Sequence, residues 1–129
     1  MTVTKPVPKV LVVEDDPIML GLLELHLSRA GYQVFSAKDA KQGLALAVQH
    51  QPSVILLDVL MPESSGLAVL RQLRQTESTS NIAVIVISVD DHPEAMAEAM
   101  AAGAKAFLVK PFGLGRLLGE VRRAFGHPD

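Results

Sequence analysis

Cysteine is absent from this 129-residue chain, which excludes a disulfide framework and any thiolate-bound metal. Long apolar runs are missing as well. Stretches such as Ile82 to Ile87 and Val54 to Leu57 fall far short of the ~20 residues a membrane helix requires. Met1 to Pro8 holds no apolar core of the kind a secretory signal needs, so the cytoplasm is the expected location, with no membrane partner. Neither sign of charge dominates: twelve basic residues against fourteen acidic ones leave a net charge of -2. That balance removes the electrostatic reason to expect nucleic acid or an anionic surface as a partner. Internal repeats and low-complexity stretches are also lacking. What is present is 49% apolar residues in a chain of one-domain size, since single domains commonly hold roughly 100 to 150 residues.

Those apolar residues are grouped. Val10-Leu11-Val12-Val13, Val34-Phe35, Val54 to Leu57, Ile82 to Ile87 and Ala106 to Val109 are short runs separated by longer segments. Several lack apolar–polar alternation, the mark of parallel strands covered on both faces. Between them Pro17 to Ala30, Ala40 to Gln49, Gly66 to Gln75, Pro93 to Ala102 and about Leu114 to Phe125 have helical length and composition. Pro17 and Pro93 suit a first helical turn, and Gly31 and Gly103 stand where C-terminal caps belong. Gly113, Gly115 and Gly119 weaken the last helix, each by about 1 kcal/mol relative to Ala where helical. Thr76 to Asn81 reads as a loop. Five strands alternating with five helices predict an α/β domain with a mostly parallel sheet and right-handed crossovers.

In such sheets ligands bind beyond the carboxyl ends of the strands. The residues there are Glu14-Asp15-Asp16 after the first strand, Asp58 after the third, Ser88 after the fourth and Lys110-Pro111 after the fifth. Converging carboxylates repel and call for protons or a cation. Hard oxygen donors with no Cys or His among them suit Mg²⁺, which takes one or two carboxylates together with phosphate oxygens. Metal-assisted phosphoryl chemistry follows, with Asp58 as nucleophile, Mg²⁺ and Lys110 neutralising charge and Ser88 donating a hydrogen bond. Taken singly, each residue has a plainer role. Asp16 before Pro17 is read as a helix cap and not as a metal ligand, Ser88 alone as a turn residue, and Lys110 alone as a surface lysine. Their common placement carries the functional reading.

The ordered set of Val10 to Pro17, Leu57-Asp58-Val59-Leu60-Met61-Pro62 with Gly66, Ile87-Ser88, and Ala102-Gly103-Ala104 leading through Phe107 to Lys110-Pro111-Phe112 closely resembles the receiver domain of two-component response regulators, including the stand-alone chemotaxis type. The resemblance covers Lys9 to about Phe125. It implies a flavodoxin-like, doubly wound (βα)5 domain over residues 9–126 with strand order 2-1-3-4-5, flanked by tails at 1–8 and 127–129. It implies a signalling phosphoprotein and not an enzyme, with Asp58 as phosphoacceptor and metal ligand. Asp15 would bind Mg²⁺ directly, Glu14 largely through water, and Leu60 through its backbone carbonyl, with Mn²⁺ able to substitute. Ser88 would be the switch hydroxyl, Phe107 the switch aromatic and Lys110 the phosphate-binding lysine, with Lys110-Pro111 cis. Phe107, read without the resemblance, is a core residue. Phosphorylation would shift the surface around helix 4, strand 5 and helix 5 between two packings.

Some positions depart from the common family pattern. Ser88 replaces the more usual Thr, and Val89 stands where a small residue is common and narrows access to Asp58. Leu60 and Asp90 occupy positions that tune the lifetime of the phosphoryl bond in this family. An apolar Leu60 cannot orient an attacking water, so a long-lived phospho-form is expected.

The first helix is apolar on more than one face. Leu23, Leu27 and Ala30 form the expected core stripe, while Met19, Leu22 and Leu25 also call for burial. A second such face suggests a partner, and the resemblance implies that it is a histidine kinase or histidine phosphotransfer protein, met by Ile18, Met19 and Leu22; a helix tucked between its own neighbours is the plainer alternative. His26, His50, His92 and His127 read as surface or edge residues, the phosphodonor histidine lying on another protein. A phosphatase with an aspartyl nucleophile would want a second Asp two residues on, where Leu60 stands, and a phosphorylation-deficient interaction domain would not keep the full residue set. Gly126 to Asp129 are too few for an output domain. A stand-alone regulator acting on a downstream protein and the receiver of a longer protein with a fused output domain both remain open.

Overall fold

The computed structural model describes residues 7–61 and 64–126; Pro62, His127 and most of the expected tails lie outside them. Five strands, β1 (Lys9–Val13), β2 (Gln33–Ala37), β3 (Val54–Asp58), β4 (Ala83–Ser88) and β5 (Ala106–Val109), alternate with five helices, α1 (Pro17–Arg29), α2 (Ala40–His50), α3 (Gly66–Gln75), α4 (Pro93–Ala101) and α5 (Leu114–Ala124). The strands pair in parallel in the order β2-β1-β3-β4-β5, the expected flavodoxin-like arrangement. Val10 faces Val34 on one side and Val54 on the other.

Alternate residues of each central strand enter opposite layers, as the two-residue period of a strand requires. Val10, Val12, Val54, Leu56, Ile85, Ile87 and Leu108 meet Leu20, Leu23 and Leu27 of α1 and Leu117 and Val121 of α5. Their neighbours Leu11, Val13, Ile55, Leu57, Val84, Val86 and Phe107 meet Ala47 of α2, Val69, Leu70 and Leu73 of α3, and Ala99 of α4. Covering both faces explains why the strand sequences show no alternation. Each buried Leu or Ile contributes about 1.5–3 kcal/mol.

The punctuation works locally. Asp16 Oδ1 accepts a hydrogen bond from Ile18 N at 3.0 Å as the cap of α1, and Pro17 and Pro93 open their helices. Gly31 (φ 99°) and Gly103 (φ 108°), beyond α1 and α4, take left-handed backbone that a side chain would disfavour. Gly113 lies outside α5 as its cap, and the helix runs on through Gly115 and Gly119.

Three expectations are corrected. The fourth strand is Ala83–Ser88, not Ile82 to Ile87, because parallel pairing with β3 sets its register. The loop at 76–81 contains a 3₁₀ turn, Glu77–Thr79, held by Thr79 Oγ1 donating to Leu73 O at 2.7 Å. Ala30 is exposed and Leu20 is buried instead, since the chain turns at Gly31 before Ala30 can reach the sheet. Leu22 and Leu25, by contrast, stay 47% and 44% exposed, as side chains left for a partner to cover would be. Beyond these, Leu60–Met61 pairs antiparallel with Ser64–Ser65, a ladder too short to show as a pattern. Arg74 ties α3 to two turns by donating to Gly103 O (Nη2, 2.7 Å) and Ile82 O (Nη1, 2.7 Å).

Candidate functional site

β1, β3, β4 and β5 lie side by side, so the residues at their carboxyl ends share one rim. Glu14 follows β1 with its N–H donating to Ala37 O of β2 at 3.0 Å, which continues the ladder and buries its side chain to 1% exposure. Asp58 and Ser88 are the last residues of β3 and β4 and are also buried. Lys110 comes just after β5, its N–H donating to Ser88 O at 2.7 Å.

These side chains meet. Lys110 Nζ lies 2.8 Å from Glu14 Oε2 and 3.5 Å from Asp58 Oδ2. The second oxygens are held by backbone: Asp16 N donates to Glu14 Oε1 at 3.2 Å and Leu60 N to Asp58 Oδ1 at 3.0 Å. Oxygens of Glu14, Asp15 and Asp58 all lie within 4.8 Å of one another. Three carboxylates thus face one ammonium. Burial raises the pKa of Glu14, and the charge of Asp58 adds to the rise, outweighing the bond from Lys110. For Lys110 burial acts downward, but the bond to Glu14 and the charges of Asp58 and Glu14 prevail and hold it above the ordinary lysine value. The single ammonium leaves the acids incompletely neutralised, and the hard oxygen donors fit a divalent cation such as Mg²⁺.

Gly66 brings this rim to α3. A Cβ there would stand 2.4 Å from Val59 Cα and 2.6 Å from Asp58 O, so only glycine lets the start of α3 lie against the backbone that carries Asp58. Ser88 Oγ accepts from Asp90 N at 3.0 Å. Phe107 is 8% exposed and lines a cavity with Lys110, Met96 and Arg116. The Lys110–Pro111 peptide is cis. Leu60 and Val89 are 52% and 63% exposed. On α1, Ile18 (75%) and Leu22 are exposed while Met19 is half-buried. Met19, Leu22 and His26 face Phe112, Leu114 and Leu117 across a shallow groove.

One pair escaped the sequence reading. His92 Nδ1 and Asp90 Oδ1 are 2.6 Å apart, and the same oxygen accepts the His92 backbone N–H at 3.0 Å. The signal was available as Asp-x-His ahead of a helix-opening Pro, a spacing at which an Asp side chain bonds the backbone two residues on.

Residues 10–122 match the family model of the response regulator receiver domain. The DNA-binding dual master transcriptional regulator RpaA of Synechocystis sp. is 35% identical over 122 residues, covering 95% of this chain and 51% of that protein. The transcriptional regulatory protein KdpE of Mycobacterium tuberculosis is 36% identical over 115 residues, covering 89% and 50%. The chain therefore spans about half the length of the curated relatives it matches. Among solved structures, the chemotaxis protein CheY4 of Vibrio cholerae superposes with a TM-score of 0.88 at 31% identity, covering 92% of this chain and 99% of that one.

Proposed function

We propose, from the premise that the chain belongs to the response regulator receiver domain family of two-component systems, that it carries its signal as a phosphoryl group on Asp58. A carboxylate oxygen of Asp58 attacks the phosphorus of a phosphohistidine on a histidine kinase or phosphotransfer protein. The P–O bond forms, the P–N bond breaks and the imidazole nitrogen keeps the electron pair.

Catalysis of such a transfer is mostly positioning and charge stabilisation. Lys110 lies within reach of Asp58 and meets the charge on the phosphoryl oxygens. The Ser88 hydroxyl accepts from Asp90 and keeps its own hydrogen to donate to one of them. A Mg²⁺ ion held by Glu14, Asp15, Asp58 and the Leu60 carbonyl supplies the remaining neutralisation when bound. Bonds made only to the phosphorylated state draw Ser88 inward, and Phe107 follows into the space it leaves, favouring a second packing of α4, β5 and α5. Ile18, Met19 and Leu22 meet the phosphodonor protein. A downstream protein or a fused output domain reads the α4–β5–α5 surface.

Residues 9–126 form the receiver unit in this reading. A cytoplasmic setting goes with it; among the described residues no helix is long and apolar enough to cross a membrane. The apolar, outward-facing Leu60 has no group to orient a hydrolytic water, which supports a phospho-form lasting minutes or longer. A half-life of seconds would refute that point alone.

The observation that carries the proposal is the Lys110 ammonium bridging Glu14 and Asp58, three side chains delivered by three different strands. Incubation with Mg²⁺ and acetyl phosphate should add one phosphoryl group by intact mass, and Asp58→Asn or a chelator should abolish the gain. No adduct, together with an NMR spectrum unchanged by beryllofluoride, would refute the phosphoacceptor role.

A further inference from the structure

The turn between β4 and α4 joins the buried Ser88 to an exposed histidine through two hydrogen-bonded steps. Ser88 Oγ accepts from Asp90 N at 3.0 Å, and Asp90 Oδ1 in turn accepts the His92 N–H at 3.0 Å and lies 2.6 Å from His92 Nδ1. Ser88 is fully buried while the His92 side chain is 76% exposed, so one end of the chain of bonds faces the phosphoryl site and the other faces solvent. His92 is also the residue from which α4 starts, and its ring goes back to Asp90 instead of capping the helix.

We propose that His92 is a positioning residue for the phosphoryl-transfer site: by clamping Asp90 it holds the β4–α4 turn, and with it the Ser88 hydroxyl, in the unphosphorylated arrangement, making phosphoryl uptake sensitive to pH. The inference rests on the phosphoacceptor reading of Asp58. For Ser88 to swing toward a phosphoryl oxygen, its Oγ must either leave the Asp90 N–H or drag the turn with it. A protonated His92 grips the Asp90 carboxylate by a charge-assisted bond and resists that movement; a neutral ring resists it less. Among the described residues, the charges that bear on His92 are those of Asp90 and Asp91. The bond to Asp90, and then both carboxylate charges, raise its pKa above the ordinary value. The grip is therefore fullest on the acid side and relaxes as pH rises through this raised value, above the ordinary 6.5.

Two measurements test this on the intact chain. In the unphosphorylated protein, NMR should show the Asp90 amide shifting with the same midpoint as the His92 ring, and no such shift in His92→Gln; an Asp90 amide that ignores the ring would overturn the clamp. The second compares phosphoryl uptake from acetyl phosphate in wild type and His92→Gln across the titration range, so that the donor's own pH dependence cancels in the ratio. Wild type should be slower by about twofold below the His92 midpoint, the scale an exposed ion pair sustains, and the ratio should approach one above it. Asp90→Asn should lack the same step. A ratio independent of pH, with normal adducts in both proteins, overturns the clamp and leaves the role of Asp58 intact. No adduct in either protein refutes the phosphoacceptor reading, and with it the reaction His92 would control.

Discussion

Glu14 and His92 both make a charged contact on the rim of loops at the carboxyl end of the sheet, under opposite conditions. Glu14 is buried and meets a lysine 96 residues away; His92 is exposed and meets an aspartate two residues away. Water screens the second pair, so its strength depends on pH and salt and its worth is small. The first pair sits where unpaired charge is costly, and removing one partner strands the other. A rim built this way keeps its chemistry fixed in the centre while leaving a responsive contact at its edge.

Breaking the buried contact should have the largest effect. Lys110→Met leaves Glu14 and Asp58 without their ammonium and should destabilise the metal-free protein by about 3–5 kcal/mol in urea unfolding. Saturating Mg²⁺ should raise the stability of the variant, because an ion bound only by the folded state stabilises it; wild type and variant both unmoved by Mg²⁺ would separate the acids from any metal site. Gly66→Ala comes next. Its Cβ would overlap the Asp58–Val59 backbone, and overpacking of this kind costs about 1–3 kcal/mol, measurable as a lowered thermal midpoint. Because the strain falls on the chain that carries Asp58, phosphoryl uptake should slow as well, and an unchanged rate would show that α3 does not position the site.

The exposed contact should give the smallest effect. The bond to Asp90 raises the His92 pKa, so its contribution to stability is present below pH 6.5 and fades as pH rises through the folded-state value. NMR titration should place His92 above 6.5, with Asp90→Asn returning it toward that value, while unfolding experiments on His92→Gln should detect only a small loss, confined to low pH. A large stability loss in that variant would erase the contrast between the two contacts.

Much of this molecule was legible before folding. Apolar runs marked the strands, Pro17 and Pro93 marked helix starts, and Gly31 and Gly103 marked helix ends, because each acts within a few residues of itself. Two of the differences are matters of rotation and register. Ala30 carried the right periodicity for the core stripe but stands exposed, Leu20 being buried in its place. Ile82 looked like strand until pairing with Val54 began at Ala83. His92 is at the surface as expected, but its residue type alone does not reveal that its ring turns back on Asp90.

The order of elements, the parallel, doubly covered sheet and the residue types delivered to its carboxyl rim follow from the chain's local chemistry, since hydrophobic pattern and turn residues act over a few positions. Only the tertiary structure decided that Lys110 reaches Glu14 at 2.8 Å, that Gly66 must lie against the Asp58–Val59 backbone, and which apolar residues of α1 are left to solvent. Those outcomes depend on how strands pair in register and how helices rotate onto them. That geometry is set by packing between segments far apart in the chain.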